Sequence, residues 1–182
     1  MEKNIKQKNI KILSLSAMMA AIYVALDLLA VAVSSPFGGT MKISVSGLPV
    51  IIISVLFGPI WGMATGFVGA FIGQLVTYGM TATTFLWVLP ATVRGLSMGL
   101  LFIAFKRSTK PYILVISTVI SSMLVTAINT VSLYVDSKVY GYPAVIFGIS
   151  LVNRIVIAII TAVIFAFVVP PIIKVIKKAV KI

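Results

Sequence analysis

Apolar residues run through this chain in long blocks, broken at nearly regular intervals by short segments rich in Gly, Pro, Ser or Lys. The blocks lie at roughly 12–34, 43–57, 60–79, 85–105, 112–134 and 145–173. A helix needs about 20 apolar residues to cross a hydrocarbon layer about 30 Å thick, so the pattern predicts six transmembrane helices. The second block is short and contains Ser44-Val45-Ser46-Gly47-Leu48-Pro49, which points to a tilted or partly irregular span. Pro59 fits the first turn of the third helix, where its missing N–H costs nothing. Pro170-Pro171 marks the place where the sixth helix leaves the membrane and continues as a basic interfacial helix.

Composition agrees with the pattern. Of 182 residues, 60% are hydrophobic and 10% charged, and the mean hydropathy is +1.19. A soluble domain of this size could not hide that much apolar surface, so the expected class is an all-α integral membrane protein made of one bundle. The whole chain, 1–182, reads as a single domain, with a basic tail at 1–11 and a basic end at 174–182. The first block is longer than the 7–15 apolar residues of a secretory signal, so a retained first helix is expected.

The chemistry open to the chain is narrow. It has no Cys and no His, and its carboxylates are Glu2, Asp27 and Asp136. Disulfides, thiolate nucleophiles, imidazole bases and most zinc or haem sites are thereby excluded, and paired-carboxylate catalysis nearly so. No metal, cofactor or catalytic residue is expected, and the chain is not read as an enzyme.

A net charge of +12 could suggest nucleic acid, but its placement does not. Lys3, Lys6, Lys8 and Lys11 precede the first block, Lys106, Arg107 and Lys110 fill one loop, and Lys174, Lys177, Lys178 and Lys181 follow the last. With six spans these eleven share one side, against Lys42 and Lys138 on the other. The asymmetry predicts that both termini are cytoplasmic, with the cations touching anionic lipid.

Arg94 and Arg154 remain, each about nine residues, or about 13 Å, below the outer end of its span. Asp27, Lys42, Ser44, Gln74, Thr77, Asn129 and Asn153 also fall in the outer half of the membrane, while the inner half is nearly all apolar. A buried arginine is costly unless it is paired or faces a wet cavity. One reading pairs Asp27 with one arginine as a structural bond. The other gathers Lys42, Ser44, Gln74, Trp87, Arg94, Asn129, Asn153 and Arg154 around a ligand. One carboxylate cannot serve two arginines and Lys42, so the excess positive charge predicts an anionic or strongly hydrogen-bonding ligand. Tyr78, Trp87, Tyr134, Tyr140 and Tyr142 read as an interfacial aromatic belt, with Trp87 also placed to stack on a ring.

Small residues recur at helical spacing. Ala17, Ala21 and Ala25 form a flat stripe on the first helix, and Gly58, Gly62 and Gly66 form another on the third, with Gly69 and Gly73 offset beside it. Such stripes permit close helix contact; the glycines are expected to pack inside the bundle, while spacing alone leaves open whether the alanines face another protein.

The chain resembles the S component, the substrate-binding membrane subunit, of energy-coupling factor (ECF) vitamin transporters. The resemblance rests on small size, six spans, a basic tail, the alanine stripe and the turn Phe57-Gly58-Pro59 followed by Trp61-Gly62. Locally it is most similar to folate-type S components. Lys42-Ile43-Ser44-Val45-Ser46-Gly47-Leu48-Pro49 stands where those have R-I-S-F-G-F-L-P, and Arg94-Gly95-Leu96 matches an arginine-glycine-leucine in the fourth span. Lysine replaces the leading arginine, Val45, Ser46 and Gly47 replace F-G-F, and Ala70 stands where those relatives often carry an aspartate.

The resemblance implies a high-affinity subunit of an ECF-type ABC transporter in the bacterial cell membrane. It would take up a water-soluble vitamin: folate first, with pantothenate, pyridoxine or riboflavin as others. Segment 34–42, with Phe37, Gly38 and Gly39, would be the gating loop. The partners implied are a transmembrane coupling protein (EcfT-like), contacted through Ala17, Ala21 and Ala25, and two ATPase subunits. The chain has no G-x-x-x-x-G-K-[ST] loop, so ATP hydrolysis would fall to those partners. The alternative is a small facilitator or channel acting alone, which would need polar residues in the inner half as well.

Overall fold

In the computed structural model, which describes residues 2–36, 38 and 40–180, six helices and one short hairpin follow along the chain. The order is α1 (Glu2–Leu28), β1 (Val31–Ser34), β2 (Thr40–Ile43), α2 (Gly47–Phe57), α3 (Pro59–Tyr78), α4 (Thr84–Ala104), α5 (Pro111–Tyr140) and α6 (Ala144–Val180). Helices α1, α3, α4, α5 and α6 are long and apolar enough to cross a membrane. Helix α2 is not: its 11 residues rise only about 16 Å. The expected second full span is therefore a half-length helix, and the count of membrane-length helices among the described residues is five.

The missing length is in the hairpin. Helix α1 ends at Leu28 instead of near 34, and β1 pairs antiparallel with β2, Val31 opposite Ile43 and Ser34 opposite Thr40. Valine and threonine favour extended backbone, but their apolar neighbours make the segment look like more helix. One other boundary moves the opposite way: helix α5 continues past 134 to Tyr140. Helix α6 runs on through Pro170 and Pro171 to Val180, the helical continuation expected beyond the prolines. The expected tail at 1–11 is mostly the first turns of α1.

Glycines set how closely the bundle packs. A Cβ on Gly62 would collide with Ser54, on Gly66 with the carbonyl of Ala91, on Gly95 with the backbone of Gly62, and on Gly99 with Pro59. Helices α2, α3 and α4 therefore touch backbone to backbone. Ala17, Ala21 and Ala25 lie instead on an exposed face of α1. Pro90 inside α4 has no N–H for the carbonyl of Leu86, and Ser132 of α5 supplies the donor at 2.9 Å.

At the end of the bundle away from the hairpin, Ile51, Ile52, Val55, Met98, Phe102, Leu114, Phe165, Val169 and Ile173 form one apolar core. Hydroxyls on these helices mostly turn back on their own backbone: Ser54 bonds Val50 O, Thr65 bonds Trp61 O, and Thr118 bonds Leu114 O. They satisfy themselves without opening a wet path.

Candidate functional site

Above that core lies a cavity of about 440 Å³ at the hairpin end of the bundle. Its floor is the α2 N-terminus. Gly47 packs so closely on Arg94 that a Cβ there would stand 3.0 Å from Arg94 Cδ and Nε, and 3.1 Å from Phe165. The guanidinium carbon of Arg94 lies 5.2 Å from the Phe165 ring centre. Its Nη1 is buried with no hydrogen-bond partner among the described residues. A charged donor left unpaired in a low-dielectric site is costly, and a ligand acceptor would relieve it.

Helix α1 and segment 42–46 form the side nearest the hairpin. Asp27 Oδ2 pairs with Lys42 Nζ at 3.0 Å, and Asp27 Oδ1 accepts from Ser44 and Ser46, each at 3.4 Å. Ser44 also caps the Ser46 N–H at 3.1 Å. The reading that paired Asp27 with an arginine is corrected here: its partner is Lys42, because β2 brings that lysine back over the end of α1. Tyr23, one turn before Asp27, lines the cavity too. It sits against α3, where a Cβ on Gly69 would stand 2.9 Å from its ring.

The opposite wall comes from α4, α5 and α6. The guanidinium carbon of Arg154 stands 4.7 Å from the Trp87 ring centre. Trp87 Nε1 donates to Asp136 Oδ1 at 3.3 Å, and Thr83 Oγ1 to the same oxygen at 2.6 Å. Tyr142 donates to Asp136 Oδ2 at 3.0 Å. In the α5–α6 connection, the Tyr142 phenol is pushed above the ordinary tyrosine range by partial burial first, then by Asp136 as acceptor and as charge.

All eight residues singled out for ligand contact, Lys42, Ser44, Gln74, Trp87, Arg94, Asn129, Asn153 and Arg154, line this cavity. Asn153 is already engaged. Its Oδ1 accepts from Ser35 Oγ, and its Nδ2 donates to the Gly38 carbonyl at 3.0 Å. It ties α6 to the hairpin turn. Of the expected gating residues, Gly38 takes φ 100°, open to glycine; Phe37 and Gly39 lie outside the described residues. Sequence reading missed Tyr23, Ser46, Thr126 and Ser150 among the lining residues, and Asp136 behind Trp87. The spacing Asn129, Ser132, Asp136 would have found the last, had the fifth helix been carried one turn further.

The arrangement defines a class: a helical membrane protein with a polar cavity at one end and a dry core at the other. Residues 11–173 match the family described as "ECF transporter, substrate-specific component", and the chain belongs to it. Members of that family are substrate-binding parts of transporters, not enzymes. The fold is that of two solved structures. One is an S component of a bacterial ECF transporter, with 18% identity, a TM-score of 0.65, and coverage of 93% of this chain and 99% of the other. The second is ThiT from Listeria monocytogenes, with 17% identity, a TM-score of 0.70, and coverage of 94% and 97%. No curated protein sequence matches the chain.

Proposed function

We propose that this chain captures a water-soluble vitamin or related micronutrient in the cavity between Arg94 and Trp87. It would deliver the ligand inward after docking on an ATP-driven coupling module. The reading places six helices with both termini cytoplasmic in a bacterial cell membrane, and the cavity on the outer side, as the lysine asymmetry favours. Residues 1–182 act as one unit in it.

The observation that carries the reading is the unpaired Nη1 of Arg94 at the base of a cavity large enough for a vitamin. Lys42, Arg94 and Arg154 outnumber Asp27 among its charged lining residues, which favours an anionic ligand. Arginine at the base suits a carboxylate, through a fork that lysine lacks. Folate combines carboxylates with a flat ring and is the first candidate. Riboflavin, pantothenate and pyridoxine complete the test set, since the departures at 42, 45–47 and 70 leave the substrate open.

The exposed Ala17, Ala21 and Ala25 offer the coupling protein a flat face. Tyr23 and Asp27 stand about 200° from Ala21 and Ala25, two residues on, and so face the cavity instead. One helix thus serves both tasks. The stand-alone channel is disfavoured by the apolar core beneath Arg94, which gives a solute no polar path.

The test is calorimetric titration of the purified protein with those four vitamins. Submicromolar binding of one, near one per chain, supports the reading; no heat from any of them counts against a vitamin.

A further inference from the structure

Asp136 is the one buried carboxylate among the described residues, 5% exposed, and it touches no cation at ion-pair distance. Three donors satisfy it instead: Thr83 at the N-cap of α4, Trp87 one turn later, and Tyr142 in the α5–α6 connection. Thr83 makes no cap bond to its own helix with this hydroxyl. The outer ends of α4 and α5 are therefore joined through one charged acceptor.

The indole transmits this further. A carboxylate accepting from Nε1 pushes electron density into the ring and makes its face more negative. Arg154 of α6 lies over that face at 4.7 Å, where a cation gains most from it. The guanidinium is thus held against an indole that Asp136 fixes. Arg94 differs. Its Nη1, at the base of the cavity, has no hydrogen-bond partner among the described residues.

We infer that Asp136 is a positioning residue for ligand selection: by fixing Trp87 with the Arg154 guanidinium over its ring, two helical turns along α4 from Arg94, it selects ligands that join a planar ring to an anionic group. This rests on the vitamin-binding reading above. It also divides the two arginines by task, stacking for Arg154 and anion recognition for Arg94.

The chain has two tryptophans, so Trp61→Phe leaves Trp87 as the sole reporter. In the purified full-length protein, Asp136→Asn should raise acrylamide quenching of Trp87 at least threefold and shift its emission to the red. Affinity for folate, which has both the ring and the carboxylates, should fall at least tenfold. Asp136→Glu should restore part of both. If Asp136→Asn does not fold, Thr83→Val and Tyr142→Phe each remove one donor with the carboxylate in place, and each should move quenching the same way. Unchanged quenching and emission would overturn the proposal, as would increased quenching with affinity intact. Tight binding of a vitamin with only one of the two features, pantothenate with a carboxylate but no ring, or riboflavin or pyridoxine with a ring but no anionic group, and no folate bound, would also overturn it. A parent that binds none of the vitamins sinks the vitamin reading and the selection role with it, whereas the quenching comparison still decides whether Asp136 holds Trp87.

Discussion

The ammonium of Lys42 rests 3.0 Å from the carboxylate of Asp27. That contact engages the one acidic side chain among the residues lining the cavity. The pair is half-open to water, so by itself it stabilises the fold by about 1 kcal/mol or less. Its larger effect is to anchor segment 42–46 against α1.

Asp27→Asn tests that division. The melting temperature should fall by only a few degrees and affinity for the bound vitamin should change less than about tenfold. Complete loss of binding in a folded variant would show that Asp27 contacts the ligand itself.

Gly95→Ala should be severe. Its Cβ would fall on the backbone of Gly62, which cannot swing aside as a side chain can. A loss of about 1–3 kcal/mol or more is expected for forced overpacking. Gly148→Ala, whose Cβ meets nothing within 4 Å, is the control. Equal melting temperatures for the two variants would mean that α3 and α4 do not approach this closely.

These packing sites show what the sequence could tell. Glycine spacing pointed to a face inside the bundle, but spacing alone could not say whether the alanine face is buried. The structure gives Gly62 and Gly66 to the bundle and leaves Ala17, Ala21 and Ala25 exposed. Counting residues inward from the span ends put Arg94, Arg154, Asn129 and Gln74 in the same half of the bundle, because helical rise is constant. It could not find the hairpin, since 31–34 is as apolar as the helix before it and 34–42, with Gly38, Gly39 and Lys42, reads as a loop. Asp136 was hidden by the same limit: hydropathy drops at 134, whereas the helix ends at Tyr140.

Ala21→Leu should leave vitamin binding within about twofold of wild type and abolish uptake in cells that supply the coupling module. Leucine on an exposed face disturbs no cavity residue, but it would hold a partner helix off the flat stripe. Normal uptake would remove α1 from the docking face.

Asn153→Ala cuts two bonds between α6 and the hairpin turn, from Ser35 and to Gly38. The dissociation rate of the vitamin should rise by about tenfold or more, with a smaller change in the association rate, as measured by stopped-flow fluorescence. Unchanged dissociation would mean that the hairpin does not control exit.

The central claim is that Arg94 holds a vitamin in the cavity, and mass spectrometry of small molecules extracted from washed, purified protein tests it most directly. Wild type should release one vitamin near one per chain, and Arg94→Ala, folded but weakened by about 2–4 kcal/mol, should release little or none. An empty wild-type protein, or equal amounts from both, would contradict the account.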